Sequence, residues 1–121
     1  MTCATRVSWV ALLSCMILSH SVPAAASVED LLRQAFVKES GEHNLEEAIT
    51  LYKQITDIPG ADAMIRFEAR LRMGNCLEKL GKYGDASAVY EKILEDSSAP
   101  TSPLRQEVEE NLRRLKTRQP S

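Results

Sequence analysis

From Val28 onward, apolar positions recur at intervals of three and four, the spacing that gathers side chains on one side of an α-helix. Breaks at Gly41, Pro59-Gly60, Gly81, Gly84 and from Pro100 to Pro103 divide the pattern into five predicted helices. The first covers about 28–39 and sets Leu31, Leu32, Ala35 and Phe36 on one face. Ser40-Gly41-Glu42-His43 makes a turn, after which Asn44 can cap a second helix and Glu47 can reach back to it, ahead of Ala48, Leu51, Tyr52 and Ile55. That helix must stop by Ile58, because the residue before a proline is driven out of the helical region. Asp62 can accept from the unpaired N–H groups opening a third helix, which continues to Leu80 and ends at Gly81. A fourth, over about 82–96, carries Tyr83, Ala86, Val89, Tyr90, Ile93 and Leu94 as one stripe. Ser102 and Pro103 suit the cap and first position of a fifth, over about 103–118, whose Leu104, Val108, Leu112 and Leu115 form a narrow seam. The expected fold class is all-α, a single domain over 27–119 with hairpins at about 28–58 and 62–96 and a capping helix.

The first 26 residues follow another rule. One charge, Arg6, precedes a largely apolar run from Val7 to Leu18, and Ala24-Ala25-Ala26 closes the segment, which is the arrangement of a secretory signal cut near Ala26/Ser27. The run is too short to cross a hydrocarbon core, which takes about 20 helical residues, so no membrane span is expected in the mature chain. The expected location is therefore periplasmic or extracellular. Leu12-Leu13-Ser14-Cys15 offers a lipid-anchored alternative through Cys15, against which Met16-Ile17-Leu18 prolongs the apolar run and the Ala triplet supplies a better cut further on. Loss of the leader removes Cys3 and Cys15 and leaves only Cys76, so no internal disulfide is expected.

Leu45-x2-Ala48-x3-Tyr52-x2-Ile55 recurs as Tyr83-x2-Ala86-x3-Tyr90-x2-Ile93, displaced throughout by 38 residues. Gly74-x6-Gly81-x-Tyr83-x2-Ala86-x3-Tyr90 resembles the tetratricopeptide repeat, which carries a small residue, a second Gly, then Tyr, Ala and an aromatic in that order. The resemblance extends over about 28–100 and is closer in the second hairpin, since Phe36 and His43 stand where the first should have a small residue and Gly. Arg70, Met73 and Leu77 also depart from the usual Trp, Leu and Tyr, and the terminal Pro comes late, at Pro100. The displacement exceeds the family period of roughly 34 by about one helical turn, with the excess expected over Pro59 to Met64. The resemblance implies that Gly74 allows close helix approach, that Gly81 makes the turn and that Ala86, like Ala48 before it, fills a tight crossing. Tyr52, Tyr83 and Tyr90 would wedge between helices rather than stack on a ligand.

Composition adds little to this picture. Charged residues make up 26% of the chain and the net charge is −2, which suits neither a nucleic-acid binder nor an acidic disordered tail. His43 is isolated after the leader, and no nucleophile elbow, zinc, redox or phosphate-loop motif occurs, so no catalytic residue, metal or cofactor is predicted. Cys76 reads as a packed thiol. Arg113, Arg114, Lys116 and Arg118 suit a helix C-terminus, with Glu109–Arg113 and Glu110–Arg114 as i,i+4 pairs.

Proteins of the resembling family bind other proteins or peptides on a concave face lined by the first helix of each hairpin. Carried to this chain, the resemblance implies a groove presenting Asp30, Arg33 and Val37 from the first helix and Glu68, Leu71, Asn75, Glu78 and Lys79 from the third. The family's clamp for a terminal carboxylate is not expected, because Leu71 stands where it needs a Lys. The function expected is that of an exported, non-enzymatic adaptor. A structural subunit that associates with copies of itself is the alternative, since about three repeats are normally needed to bury every apolar face.

Overall fold

The computed structural model describes residues 26–96, 101 and 103–118, so the leader, the lipid-anchor alternative at Cys15, Pro100 and the Ser102 cap lie outside the described residues. Within that span the fold is all-α, with helices α1 (Val28–Ser40), α2 (Leu45–Asp57), α3 (Ala63–Lys79), α4 (Tyr83–Glu95) and α5 (Pro103–Arg118). The first three begin on side-chain caps. Ser27 Oγ accepts from the Asp30 N–H at the start of α1, with Glu29 and Asp30 placed where the helix dipole favours negative charge. Asn44 Oδ1 accepts from the Glu47 N–H at 3.2 Å, and the Glu47 carboxylate returns to the Asn44 side-chain amide at 2.9 Å rather than to its backbone. Asp62 caps α3 through the Met64 and Ile65 N–H groups.

The two hairpin turns share one backbone requirement. Gly81 closes α3 at φ +76°, while the Lys82 N–H returns to the Leu77 carbonyl at 2.9 Å. In the first hairpin His43 adopts φ +52°, a left-handed conformation that costs a side-chain-bearing residue about 1 kcal/mol. His43 thus takes the backbone part of the Gly that the repeat pattern assigns to its position. The first turn is one residue longer than the second, 41–44 against 80–82.

Each helix packs chiefly on its neighbours in sequence, α1 on α2, α2 on α3, α3 on α4 and α4 on α5. Two apolar clusters result. Ala35, Ala48, Tyr52, Ile55, Ala69 and Cys76 form the first, and Phe67, Leu71, Leu77, Ala86, Tyr90, Ile93, Val108, Leu112 and Leu115 the second, with Ile49 and Met73 touching both. Gly74 shows why the crossing demands a missing side chain, because a Cβ built there would overlap the Tyr90 ring, 2.8 Å from Cζ. Ala48 and Ala86 are fully buried, as are Tyr52, Tyr90 and Cys76, whereas Tyr83 is only half-buried against the second cluster.

Five expectations need correction. Phe36 is 46% exposed instead of joining the packing face of α1, because no helix covers that side; the Arg72 guanidinium lies 4.9 Å from its ring centroid. Leu71 is 7% exposed instead of standing free in a groove, since it belongs to the cluster that α5 completes and contributes only a buried wall to the depression there. Leu104 lies off the α5 seam and is 37% exposed, while Asn111 takes a buried place beside Val108, Leu112 and Leu115. Gly84 does not break the chain but sits in the first turn of α4. α3 is also four residues longer than α1, 17 against 13, so part of the additional repeat length is helical and not confined to the link. Among the described residues no helix is long and apolar enough to cross a membrane.

Candidate recognition face

Two carboxylates, Glu39 buried and Glu78 largely so, tie α1 to α3 and α3 to α5. Glu39, at the end of α1, accepts from the Tyr52 hydroxyl at 2.8 Å and from Lys79 Nζ at 3.0 Å, with Arg72 Nη1 at 3.6 Å. Glu78, at the end of α3, accepts from the Tyr90 hydroxyl at 2.8 Å and takes Arg114 Nη2 on both oxygens, at 2.9 and 3.1 Å. The two arrangements follow one plan. A tyrosine from the second helix of a hairpin donates to a glutamate closing its first helix, and cations from the next first-helix position neutralise that glutamate. A carboxylate removed from water is costly unless paired and hydrogen-bonded, and these partners supply both.

The tyrosines acquire a purely structural character from this. Burial pushes the Tyr52 phenol well above its usual range, and the neighbouring Glu39 carboxylate pushes it further. Tyr90 is raised for the same two reasons, with Glu78 in place of Glu39. Its hydroxyl also lies 2.6 Å from Asn75 Oδ1, and because a phenol carries one proton, Glu78 and Asn75 share it. Burial likewise pushes the Cys76 thiol up to about 11, so at neutral pH it is a protonated apolar group and not a nucleophile.

With these helices tied together, two depressions open along α3. One, of about 400 Å³, lies between α3 and α5 and is walled by Met64, Leu71, Leu104 and Glu107 among others. The second, of about 360 Å³, lies between α1 and α3 with Leu32, Arg33 and Phe36 on its wall. Glu68 and Arg72 line both, joined to each other at 3.1 Å, so the depressions adjoin along one face. Met64 is 48% exposed there, which with Phe36 and Leu104 places apolar surface at the rims. A separate hollow of about 290 Å³, lined from α2, α3 and α4, lies away from α1 and α5.

The residues predicted for a groove divide accordingly. Glu68, Leu71 and Asn75 line the α3–α5 depression and Arg33 the α1–α3 one, although Leu71 forms its buried wall and Asn75 is engaged by Tyr90. Glu78 and Lys79 are occupied by the two carboxylate arrangements. Asp30 is paired with Arg33, and Val37 is exposed but borders neither depression. Sequence reasoning missed Phe36, Met64, Arg72, Leu104 and Glu107. Met64 precedes Phe67 and Leu71, and Leu104 precedes Val108, at ordinary helical spacing, so no signal in the sequence sets either apart from the packing stripes. Arg114 also behaves unexpectedly, reaching across to Glu78 instead of serving Glu110, while Glu109 pairs with Arg105 at 3.7 Å and Lys116 with Glu91 at 3.5 Å. No family model, curated protein or solved structure matches this chain.

Proposed function

We propose that this chain is an exported, non-enzymatic adaptor of the tetratricopeptide kind, which binds a protein or peptide along the face formed by α1, α3 and α5. The observation carrying this reading is the pair of adjoining depressions on α3, rimmed by Phe36, Met64 and Leu104. A shallow surface with scattered apolar anchors and convergent polar groups suits a segment of chain better than a small substrate held for chemistry. Tyr52, Tyr90 and Cys76, the buried groups with raised pKa values, are all accounted for by packing and hydrogen bonds, which supports a binding role over a catalytic one.

Export rests on Arg6, the run from Val7 to Leu18 and the Ala triplet. A cut at Ala26/Ser27 leaves the Ser27 cap of α1 intact, with Glu29 and Asp30 beside the new ammonium group. The exported form should begin at Ser27 without lipid, and an intact mass measured on protein purified from its native cells decides it. A mass corresponding to acylated Cys15 would replace this reading with a membrane-anchored one.

The binding face is tested by the triple variant Phe36→Ser, Met64→Ser, Leu104→Ser. Its residues are exposed, so melting should be nearly unchanged while co-purification of a specific partner is lost. Retention of that partner would rule the face out. Self-association is the second reading, favoured by the exposure of Phe36 and Val37 on α1, the terminal helix. Sedimentation over micromolar concentrations separates the two, since a monomer throughout leaves the adaptor.

A further inference from the structure

The charges along the α1–α3–α5 face are not balanced by one another. Arg33 is already paired with Asp30, and Arg72 with Glu68 and Glu39, so both cations lining the two depressions are satisfied. Glu107, on the wall of the α3–α5 depression, and Glu29, on that of the α1–α3 depression, are exposed and make no hydrogen bond or ion pair among the described residues. Each depression therefore offers one open carboxylate beside apolar surface, Met64, Leu71 and Leu104 in the first and Leu32 and Phe36 in the second.

We infer that the occupant of this face is a basic amphipathic peptide segment, whose bulky apolar side chains enter the two depressions while Lys or Arg residues beside them meet Glu107 and Glu29. The inference rests on the adaptor reading and names its partner's chemistry. An acidic segment or a free carboxylate terminus is disfavoured, because it would face Glu29, Glu68 and Glu107 with no uncommitted cation in either depression to receive it. The apolar contacts supply most of the affinity. The rim carboxylates select the sign of the partner's charge and speed its approach.

Selection of short random peptides on the purified chain, with fluorescence titration of the enriched peptides, tests this directly. Enriched sequences should carry Lys or Arg within a few positions of Leu, Ile, Phe or Trp, and added salt should weaken their binding. Glu107→Gln, at an exposed position, should weaken binding about fivefold, and Leu104→Ser roughly tenfold. Enrichment of acidic peptides, or basic ones indifferent to Glu107→Gln and Glu29→Gln, would overturn the proposed chemistry and leave the adaptor reading standing. If no peptide is enriched and the chain instead dimerises through Leu104 and Met64, both the chemistry and the adaptor reading fail in favour of a second copy as occupant.

Discussion

Gly74 and His43 show how one backbone position can decide a helix crossing or a turn. Gly74→Ala gains about 1 kcal/mol of helix propensity, yet its Cβ must enter the space of the Tyr90 ring. That ring cannot swing away, because its hydroxyl is held by Glu78 and Asn75 and the ring itself is fully buried. The severity of the overlap puts the cost at the upper end of the usual range for overpacking, about 3 kcal/mol, so the expected net result in urea denaturation is a loss of about 2 kcal/mol. His43→Gly should do the opposite. Relief of the left-handed conformation outweighs the added freedom of the unfolded chain, giving a gain of about 0.5 kcal/mol by the same assay.

These two residues also mark how far residue-level reasoning reaches. Gly74, Gly81, Ala48 and Ala86 were legible because each answers a local requirement, and the displacement of 38 residues shows one of those requirements twice, at Ala48 and Ala86. Leu71 and Phe36 were not, because helical periodicity identifies the apolar side of a helix without saying which neighbour arrives to cover it. α5 buries Leu71 from a distance in sequence that no local pattern encodes, and nothing comes to cover Phe36. Glu39 and Asn111 were missed for a related reason. A polar residue earns no place in an apolar stripe, and the partners that make its burial tolerable lie on other helices.

At the scale of elements, α5 is what completes the second cluster. Its Val108, Leu112 and Leu115 join the cluster with residues of α3 and α4, while its other side is charged and solvated. Leu115→Ala should lower stability by about 2 to 4 kcal/mol, measured by thermal or urea unfolding, because a fully buried leucine leaves a cavity behind. The limits of helices were read well from the sequence wherever a cap announced them, as at Asn44, Asp62 and Gly81. The pairing between helices was not. Arg114 was assigned a neighbour one turn away, but the exposed i,i+4 pair is worth little against charge-assisted bonds from Nη2 to both oxygens of the mostly buried Glu78 carboxylate.

The whole molecule should respond to alkali in a definite direction. Cys76 ionises near 9.0 when exposed and is pushed up to about 11 in the fold by burial, so the folded state holds its proton more tightly. Its contribution is complete below pH 9 and is lost as pH rises from 9 through about 11, amounting to about 2 to 3 kcal/mol. Tyr52 and Tyr90, also raised by burial, extend the loss above pH 10. Urea midpoints should fall steadily over this range, and Cys76→Ala should flatten the earlier part of the fall. A midpoint independent of pH between 9 and 10.5 would show that Cys76 is not buried as described.

The central claim concerns the whole face, namely that α1, α3 and α5 together present the surface that another chain binds. Photocrosslinking in the native cells tests it most directly, with a photoreactive residue placed at Met64 between α3 and α5 and, in a separate variant, at the exposed Ala88 on α4. A discrete partner should be captured from Met64 and be absent from Ala88. Capture from Ala88 alone, or equally from both positions, would contradict it.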